Sequence, residues 1–390
     1  MKKIEDLRDL NKKKILLRLD LNVPLKDSKI TDTTRIDKIL PTLKFLIEKK
    51  SQIIIISHIG RPNGRIDSKL SMLPVCEYLS AKLKIEVKLI NKKIFDINPS
   101  LFTENNSNKI FFLENIRFYK QEERNDEEFA RKLSSFGEIF VNDAFSCSHR
   151  KHASVDKITK FLPSYCGIQM NAEVNALKKI TTDIKKPIAC IVGGSKISTK
   201  ISVIKNLIPR FDNIIIVGAM ANNIIKYKGF KIGNSIIENN CNNIVEEIFL
   251  LAKQNACEII FPKDVAVGKK LNDKAKIKDL SNILDDDIIL DIGPETINLI
   301  NSILDNSKTV LWNGPAGYFE NSNFAIGSEE IAKKIVSLGN KIYSVAGGGD
   351  TIAVINKINA FKKFNFVSTA GGAFLEYLEG KEIPGIRALN

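Results

Sequence analysis

Several residue types and patterns are scarce in this chain of 390 residues, and each gap excludes something. It has one tryptophan, three histidines and six cysteines, and no two cysteines stand in C-x-x-C spacing. Neither a zinc site nor a disulfide framework is therefore spelled out, and reduced thiols in a cytosolic protein are the expectation. No apolar run approaches the roughly 20 residues that a membrane span needs. Met1 to Leu10 is charged and lacks the apolar core of a signal peptide. The P-loop pattern G-x-x-x-x-G-K-[ST] and the dinucleotide fingerprint G-x-G-x-x-G are both missing, which counts against an NAD-dependent dehydrogenase.

Arginine is also scarce, and it is unevenly placed. Of 11 arginines, 9 lie in the first 150 residues. The formal charge of +14 comes from 59 basic against 45 acidic residues, and most of the excess is lysine spread along the whole chain. A basic tail, or a stripe with interleaved aromatics, would mark a nucleic-acid binder. Neither is present, so the charge reads as a solvated surface that also draws anionic metabolites. A nucleic-acid-binding protein remains the alternative. With lysine as the default cation, each arginine at a strand end suggests that the forked geometry of guanidinium is needed there. A surface salt bridge is the plain alternative at any one of them.

Short Ile/Val runs alternate with longer amphipathic stretches. The first series is Ile15–Leu17, Ile53–Ile56, Ile85–Ile90, Ile110–Leu113 and Ile139–Val141. The second is Ile188–Val192, Ile214–Val217, Ile259–Phe261, Ile288–Leu290, Val310–Trp312, Ile342–Val345 and Phe364–Val367. Uninterrupted apolar strands with helical spacers predict parallel sheets covered on both faces. The fold class expected is α/β, with two doubly wound Rossmann-like lobes and a cleft between them. A helix over Met170 to Asp183, with Met170, Val174 and Leu177 at helical spacing, joins the lobes. The divisions expected are 1–169, a connecting helix over 170–184, and 185–375.

Ligands of such sheets bind beyond the carboxyl ends of the strands, and the two series end differently. The first ends in Arg18-Leu19-Asp20-Leu21-Asn22, Ser57-His58-Ile59-Gly60-Arg61-Pro62, Glu114-Asn115-Ile116-Arg117 and Val141-Asn142-Asp143. Strand period puts Arg18, Asp20 and Asn22 on one face, either aimed at a ligand or simply solvated. His149-Arg150-Lys151-His152 offers two histidines at i and i+3. A third metal ligand is missing there, so an anion site is the better reading.

The second series ends in glycine: Gly193-Gly194-Ser195-Lys196, Gly218, Gly293, Trp312-Asn313-Gly314-Pro315, Gly347-Gly348-Gly349-Asp350-Thr351 and Ser368-Thr369-Ala370-Gly371-Gly372. Bare backbone leaves room for phosphates. A helix starting near Ser195 would set Lys196 and Lys200 on one face at its positive end. Asp350 suits Mg²⁺ shared with phosphate oxygens, or else a helix N-cap. Free amides near Gly371 suit a phosphoryl group in flight.

In this order, these strings resemble the phosphoglycerate kinase family, and the match covers nearly the whole chain. The most specific are Asp20-Leu-Asn22-Val-Pro24, Ser57-His58-Ile-Gly60-Arg61-Pro62, Glu114-Asn115-Ile-Arg117-Phe118, Val141-Asn142-Asp143-Ala-Phe145, Trp312-Asn313-Gly314-Pro315 and Gly347-Gly-Gly-Asp350-Thr351. The resemblance implies reversible phosphoryl transfer from 1,3-bisphosphoglycerate to Mg-ADP, giving 3-phosphoglycerate and ATP. It implies a cytoplasmic monomer with no membrane and no nucleic-acid partner. It also implies a tail, 376–390, returning to the N-terminal lobe.

By the same resemblance, Asp20, Asn22, Arg35, His58, Arg61, Arg117 and Arg150 bind the phosphoglycerate. Gly194, Lys196, Lys200, Asn313, Pro315, Gly348, Gly349, Asp350 and Thr351 handle the nucleotide phosphates. Glu320 lies at the ribose, Gly218 is near the adenine, and Asp350 is the metal ligand. Arg35, Lys196, Gly371 and Gly372 act on the transferring group, onto which Arg35 is expected to swing, with hinge closure accompanying catalysis. Ser195, Ala219 and Ala370 stand where the family commonly has alanine, glycine and glycine. Alanine would be strained at positive φ, so φ at Ala370 is expected to be negative.

Overall fold

Runs of isoleucine and valine without polar interruption can be covered on both faces, and nearly all of those in this chain become buried strands. A computed structural model describes residues 1–102 and 109–390. The chain divides into two units, Met1–Asn175 with Glu382–Asn390, and Ala176–Lys381.

The first unit contains strands β1 Lys14–Leu19, β2 Leu25–Lys26, β3 Lys29–Ile30, β4 Gln52–Ile56, β5 Glu86–Ile90, β6 Lys109–Leu113, β7 Ile139–Asp143 and β8 Ser164–Cys166. Its helices are α1 Thr34–Glu48, α2 Leu73–Leu83, α3 Lys120–Glu123 and α4 Glu127–Ser134. Six strands form one parallel sheet in the order β5-β6-β4-β1-β7-β8, while β2 and β3 pair as a small hairpin. The two-residue period of a strand splits this sheet's apolar residues between two cores. Ile15, Leu17, Ile53 and Ile55 pack with Ile36, Leu43 and Leu46 of α1 and Val75 and Leu79 of α2. Leu16, Ile54 and Ile56 face the other way, with Phe102, Phe111, Phe140 and Phe129 of α4.

Helix α5, Ile168–Thr181, leaves the first unit and enters the second at Ala176. The second unit holds β9 Ile188–Val192, β10 Asn213–Ile216, β11 Glu258–Ile260, β12 Asp264–Gly268, β13 Lys276–Asp279, β14 Ile288–Ile292, β15 Thr309–Asn313, β16 Tyr343–Gly347 and β17 Phe366–Ser368. Its helices are α6 Ile201–Leu207, α7 Ala221–Tyr227, α8 Asn242–Gln254, α9 Pro294–Asn306, α10 Ile326–Leu338, α11 Gly349–Lys357 and α12 Gly372–Leu378. The parallel sheet runs β11-β10-β9-β15-β16-β17. Its two middle strands, β9 and β15, are buried at every residue. The last helix, α13 Pro384–Arg387, belongs to the first unit, where the Gly385 N–H donates to the Ser148 carbonyl at 2.8 Å and Arg387 pairs with Asp156 at 3.3 Å.

Two expectations are corrected. Ile288–Leu290 is not a strand of the parallel sheet. It lies in β14, within a separate antiparallel sheet of order β13-β12-β14. An apolar run of three looks the same in either setting, because composition reports burial and not the direction of the neighbour. Helix α6 begins at Ile201, not near Ser195, so Lys196 sits in the loop before it and Lys200 is its N-cap residue. Ser195 and Ser198 give that loop backbone alternatives to a helix, and the Ser198 hydroxyl and N–H both bond Glu238.

Some strand-end carboxylates hold the fold together. Asp143, wholly buried at the end of β7, accepts from the Thr42 hydroxyl of α1 at 2.5 Å and from the Met170 N–H of α5 at 2.7 Å. Thr42 in turn accepts from the Ile168 N–H at 3.1 Å. Burial pushes the Asp143 carboxyl up to about 6, against these hydrogen bonds. Thr42→Val removes a donor from a buried carboxylate and an acceptor from a helix start. Denaturant titration is expected to show a loss of about 1–3 kcal/mol, with Thr42→Ser losing less. An unshifted Thr42→Val midpoint would contradict this role for the hydroxyl.

Candidate functional site

The carboxyl edge of the first sheet gathers cations around two uncharged imidazoles. Asp20 follows β1, His58 follows β4, Arg117 sits in the turn after β6, and Arg150 lies beyond β7. Arg35, in the first turn of α1, places Nη1 at 2.7 and 2.6 Å from the two Asp20 oxygens. Asn22 Oδ1 accepts from the Gly60 N–H at 2.9 Å, and the Gly60 carbonyl accepts from Arg117 Nη1 at 3.0 Å. Gly60 carries φ of 65° in that link, a turn that favours glycine. Arg61 is exposed. Arg150 is half-buried and donates through Nε to His149 Nε2 at 3.2 Å.

Arg18 is wholly buried and lies under His58, with Nη2 at 2.9 Å from His58 Nδ1. This corrects the expectation that it shares a ligand-facing surface with Asp20 and Asn22. β1 ends at Leu19, so the strand alternation does not carry on to those two residues. The run of residues 151–156 contains turns and no helix. Among the described residues no three His, Cys, Asp or Glu side chains converge to hold a metal.

The electrostatics follow from packing. Burial, then the neighbouring Arg18 and Arg117, holds His58 well below the usual imidazole range. Burial, then Arg117 and Arg18, pulls His152 down to about 3. Both rings are therefore neutral at pH 7, and the positive charge belongs to the guanidiniums. Burial lowers Arg117 as well, with Arg18 adding to the effect. The buried counter-charge is Glu122 of α3, which the sequence reading missed. It is wholly buried, accepts from the Ser154 hydroxyl at 2.6 Å and N–H at 3.0 Å, and is raised by burial while Arg18 pulls it down. Nothing in Lys120-Gln121-Glu122-Glu123-Arg124 marks one glutamate as interior.

In the second unit the strand ends meet backbone to backbone. A Cβ on Gly193 would overlap the Pro315 carbonyl, and one on Gly314 would overlap that of Gly193. Lys200 Nζ donates to Asn313 Oδ1 at 2.5 Å, Asn313 Nδ2 to the Gly347 carbonyl at 2.8 Å, and the Gly314 N–H to Thr351 Oγ1 at 2.7 Å. Burial lowers the Lys200 ammonium pKa. Lys200, Asn313 and Thr351 thus tie three glycine loops to one another.

A cavity of about 550 Å³ opens beside these loops. Gly194, Gly218, Pro315, Glu320 and Asp350 line it, together with Ser195 and Ala219. Its far wall is apolar and includes Ile236 and residues 288–290 of β14. The sequence shows no sign of that wall, because the apolar run of β14 looks like a strand of the parallel sheet. Lys196, Gly349 and Gly372 are exposed, and Gly348 and Gly371 are half-buried, outside the cavity lining. Gly348, at φ of 100°, precedes α11, and the exposed Asp350 stands in its first turn. Ala370 is absent from the left-handed residues, and Gly371, at φ of 55°, takes the positive angle instead.

The arrangement offers one edge rich in fixed positive charge and one cavity flanked by bare amides and by the carboxylates of Asp291, Glu320 and Asp350. Comparison with known proteins is consistent with both. The family described as Phosphoglycerate kinase matches residues 4–381. The chain is 45% identical over 385 residues to phosphoglycerate kinase of Wolbachia pipientis wMel, covering 98% of this chain and 96% of that one. It is 40% identical over 392 residues to that of Chelativorans sp. strain BNC1, covering 100% and 98%. The structure of phosphoglycerate kinase from Coxiella burnetii superposes with a TM-score of 0.91 at 36% identity, covering 99% of this chain and 98% of that one. The nucleic-acid-binding alternative finds no support among them. A match of this length and order of motifs places the chain in the phosphoglycerate kinase family, and so among the phosphotransferases that use a carboxyl group as acceptor.

Proposed function

We propose that this chain reversibly transfers a phosphoryl group between 1,3-bisphosphoglycerate and ADP, giving 3-phosphoglycerate and ATP. The supporting observation is the 550 Å³ cavity, where Gly194, Gly218, Pro315, Glu320 and Asp350 meet at the carboxyl edge of the second sheet. Edges of this kind, where strand order reverses about β9 and β15, are where open α/β sheets bind ligands. In this reading the base lies against Gly218 and the apolar wall, and Glu320 meets the ribose. The phosphates extend toward Lys196, Lys200 and the amides of Gly348, Gly349 and Thr351. The protein acts as a cytoplasmic monomer. Among the described residues no helix is long and apolar enough to cross a membrane.

Asp350 suits a magnesium ion that travels with the nucleotide, since Mg²⁺ is usually bound by one or two carboxylates plus substrate phosphates. The exposed Asp350 carboxylate in the first turn of α11, next to the Gly348 and Gly349 amides, matches that donor set, and a caged metal site does not. When bound, the ion neutralises charge on the phosphate oxygens.

The phosphoglycerate is held by Asn22, Arg61, Arg117 and Arg150, with His58 giving a neutral hydrogen bond and Asp20 positioning Arg35. In the ATP-consuming direction the nucleophile is a carboxylate, already ionised at neutral pH, so no general base is needed. What remains is in-line placement and the stabilisation of spreading negative charge. Arg35 leaves Asp20 for the transferring group, Lys196 approaches it from the nucleotide side, and the amides at Gly371 and Gly372 complete its surroundings.

The direct assay is ATP consumption that requires both 3-phosphoglycerate and Mg²⁺, followed through a coupled reductase. Arg35→Ala and Lys196→Ala are each expected to lower turnover by about a hundredfold or more, with melting temperatures near that of the parent. Near-normal turnover in either variant would reject its role. A second expectation concerns acid. His152 titrates near 3 when folded and near 6.5 when unfolded. Between these values the unfolded chain binds the extra proton, so stability falls with pH by about 1.4 kcal/mol per unit below about 6. The raised carboxyls Glu122 and Asp143 slope the opposite way. The relevant quantity is therefore the difference between parent and His152→Gln, whose profile is expected to be shallower by that amount. Parallel profiles would show that His152 is not held neutral.

A further inference from the structure

We propose that Arg18 is a positioning residue that fixes the tautomer of His58, so that the imidazole presents Nε2–H to the substrate. The proposal deepens the reading of the first unit as the phosphoglycerate site and rests on it.

The direction of each hydrogen bond fixes where the protons lie. A guanidinium has donors only. Arg18 Nη2 lies 2.9 Å from His58 Nδ1, so Nδ1 must accept and carries no proton. In a neutral ring the single proton then resides on Nε2. Arg18 itself has little freedom. It is wholly buried, and it donates through Nε to the Ser154 hydroxyl at 3.0 Å and through Nη1 to the Leu19 carbonyl at 2.6 Å. The Ser154 hydroxyl can accept from Arg18 because its own proton goes to Glu122 Oε1 at 2.6 Å, while the Ser154 N–H bonds Oε2 at 3.0 Å.

Arg18 therefore donates in both directions, through Ser154 to Glu122 on one side and to His58 Nδ1 on the other. One arm ends at a buried carboxylate, which holds the guanidinium in place, and the other leaves the imidazole proton on Nε2. The charged and titratable groups facing His58 are Arg18, Arg117, His152 and Arg35. Three of these are permanent cations, which disfavour a second proton on the ring. His58 then contributes direction without charge. It is a neutral donor to a substrate oxygen in a site whose charge comes from arginine. A ring in the other tautomer would offer a lone pair to an anion and repel it.

The experiment is nitrogen–proton correlation NMR of the imidazoles in the full chain at about pH 7.5. With only three histidines, a His58→Gln variant assigns the His58 signals. The expected result is a protonated Nε2 and a bare Nδ1. A protonated Nδ1, or a cationic ring, would overturn the proposal without any further variant.

The companion variant is Arg18→Met with Glu122→Gln, which leaves the net charge of the network unchanged. It is expected to show mixed His58 tautomers and a KM for 3-phosphoglycerate raised about tenfold, with kcat and the KM for ATP within about twofold. Wild-type KM, or a raised KM with the tautomer intact, would also overturn the assignment. If the parent consumed no ATP with 3-phosphoglycerate, the substrate reading would fail, while the parent spectrum would still decide whether Arg18 sets the tautomer.

Discussion

A parallel strand buried on both faces can present polar chemistry only at its ends, and both halves of this protein are built on that constraint. β9 and β15 are buried along their whole length, and in β1 and β4 only the first residue is partly exposed. Any group that touches solvent or ligand must therefore lie in the loops beyond. The two units fill equivalent loops with opposite materials. One uses side chains with fixed charge, and the other removes side chains so that peptide amides become the surface. This suits the ligands proposed for them. A small sugar-acid phosphate offers few atoms and needs reach and directed charge, whereas a nucleotide is large and needs room.

Concentrating guanidiniums at one edge has a cost that the surrounding residues offset. Arg18 and Arg117 are both buried, and like charges in a poorly hydrated space repel. The offset comes from Glu122, bonded on both oxygens and drawn down by Arg18 and Arg117, while Asp20 pairs with Arg35. Burial, with the same arginines adding to it, keeps His58 and His152 uncharged. These histidines, which in isolation suggest acid–base work or metal binding, become neutral hydrogen-bonding groups set by their neighbours. A reaction whose nucleophile is already ionised has no use for a base there.

Much of this was legible in the sequence because burial writes a strong signal. The twelve apolar runs read as strands all became strands, and eleven of them joined the two parallel sheets. The arginine and glycine endings marked the edges. What was hidden depends on partners far apart in sequence. Ile288–Leu290 gave no sign that its neighbour would be the antiparallel β12, so the apolar wall of the cavity in the second unit was missed. Asp143 read as part of a ligand-facing motif, but its oxygens are taken by Thr42 and Met170. Arg18 looked like a surface cation in an alternating string, and only the fold shows that its β-strand is central and covered on both sides. Glu122 resembled any glutamate in a charged helix. Ala370 was read correctly from backbone sterics alone, because the left-handed angle falls on Gly371.

The central claim is a division of labour, with the sugar-acid phosphate on the guanidinium edge of one unit and the nucleotide on the amide-lined cavity of the other. Hydrogen–deuterium exchange with each ligand added separately tests it most directly. 3-Phosphoglycerate alone is predicted to slow exchange in the loops around Asn22, Gly60, Arg117 and Arg150, and Mg-ADP alone in those around Gly194, Gly218, Gly314 and Gly349. Protection of the same unit by both compounds would contradict the account.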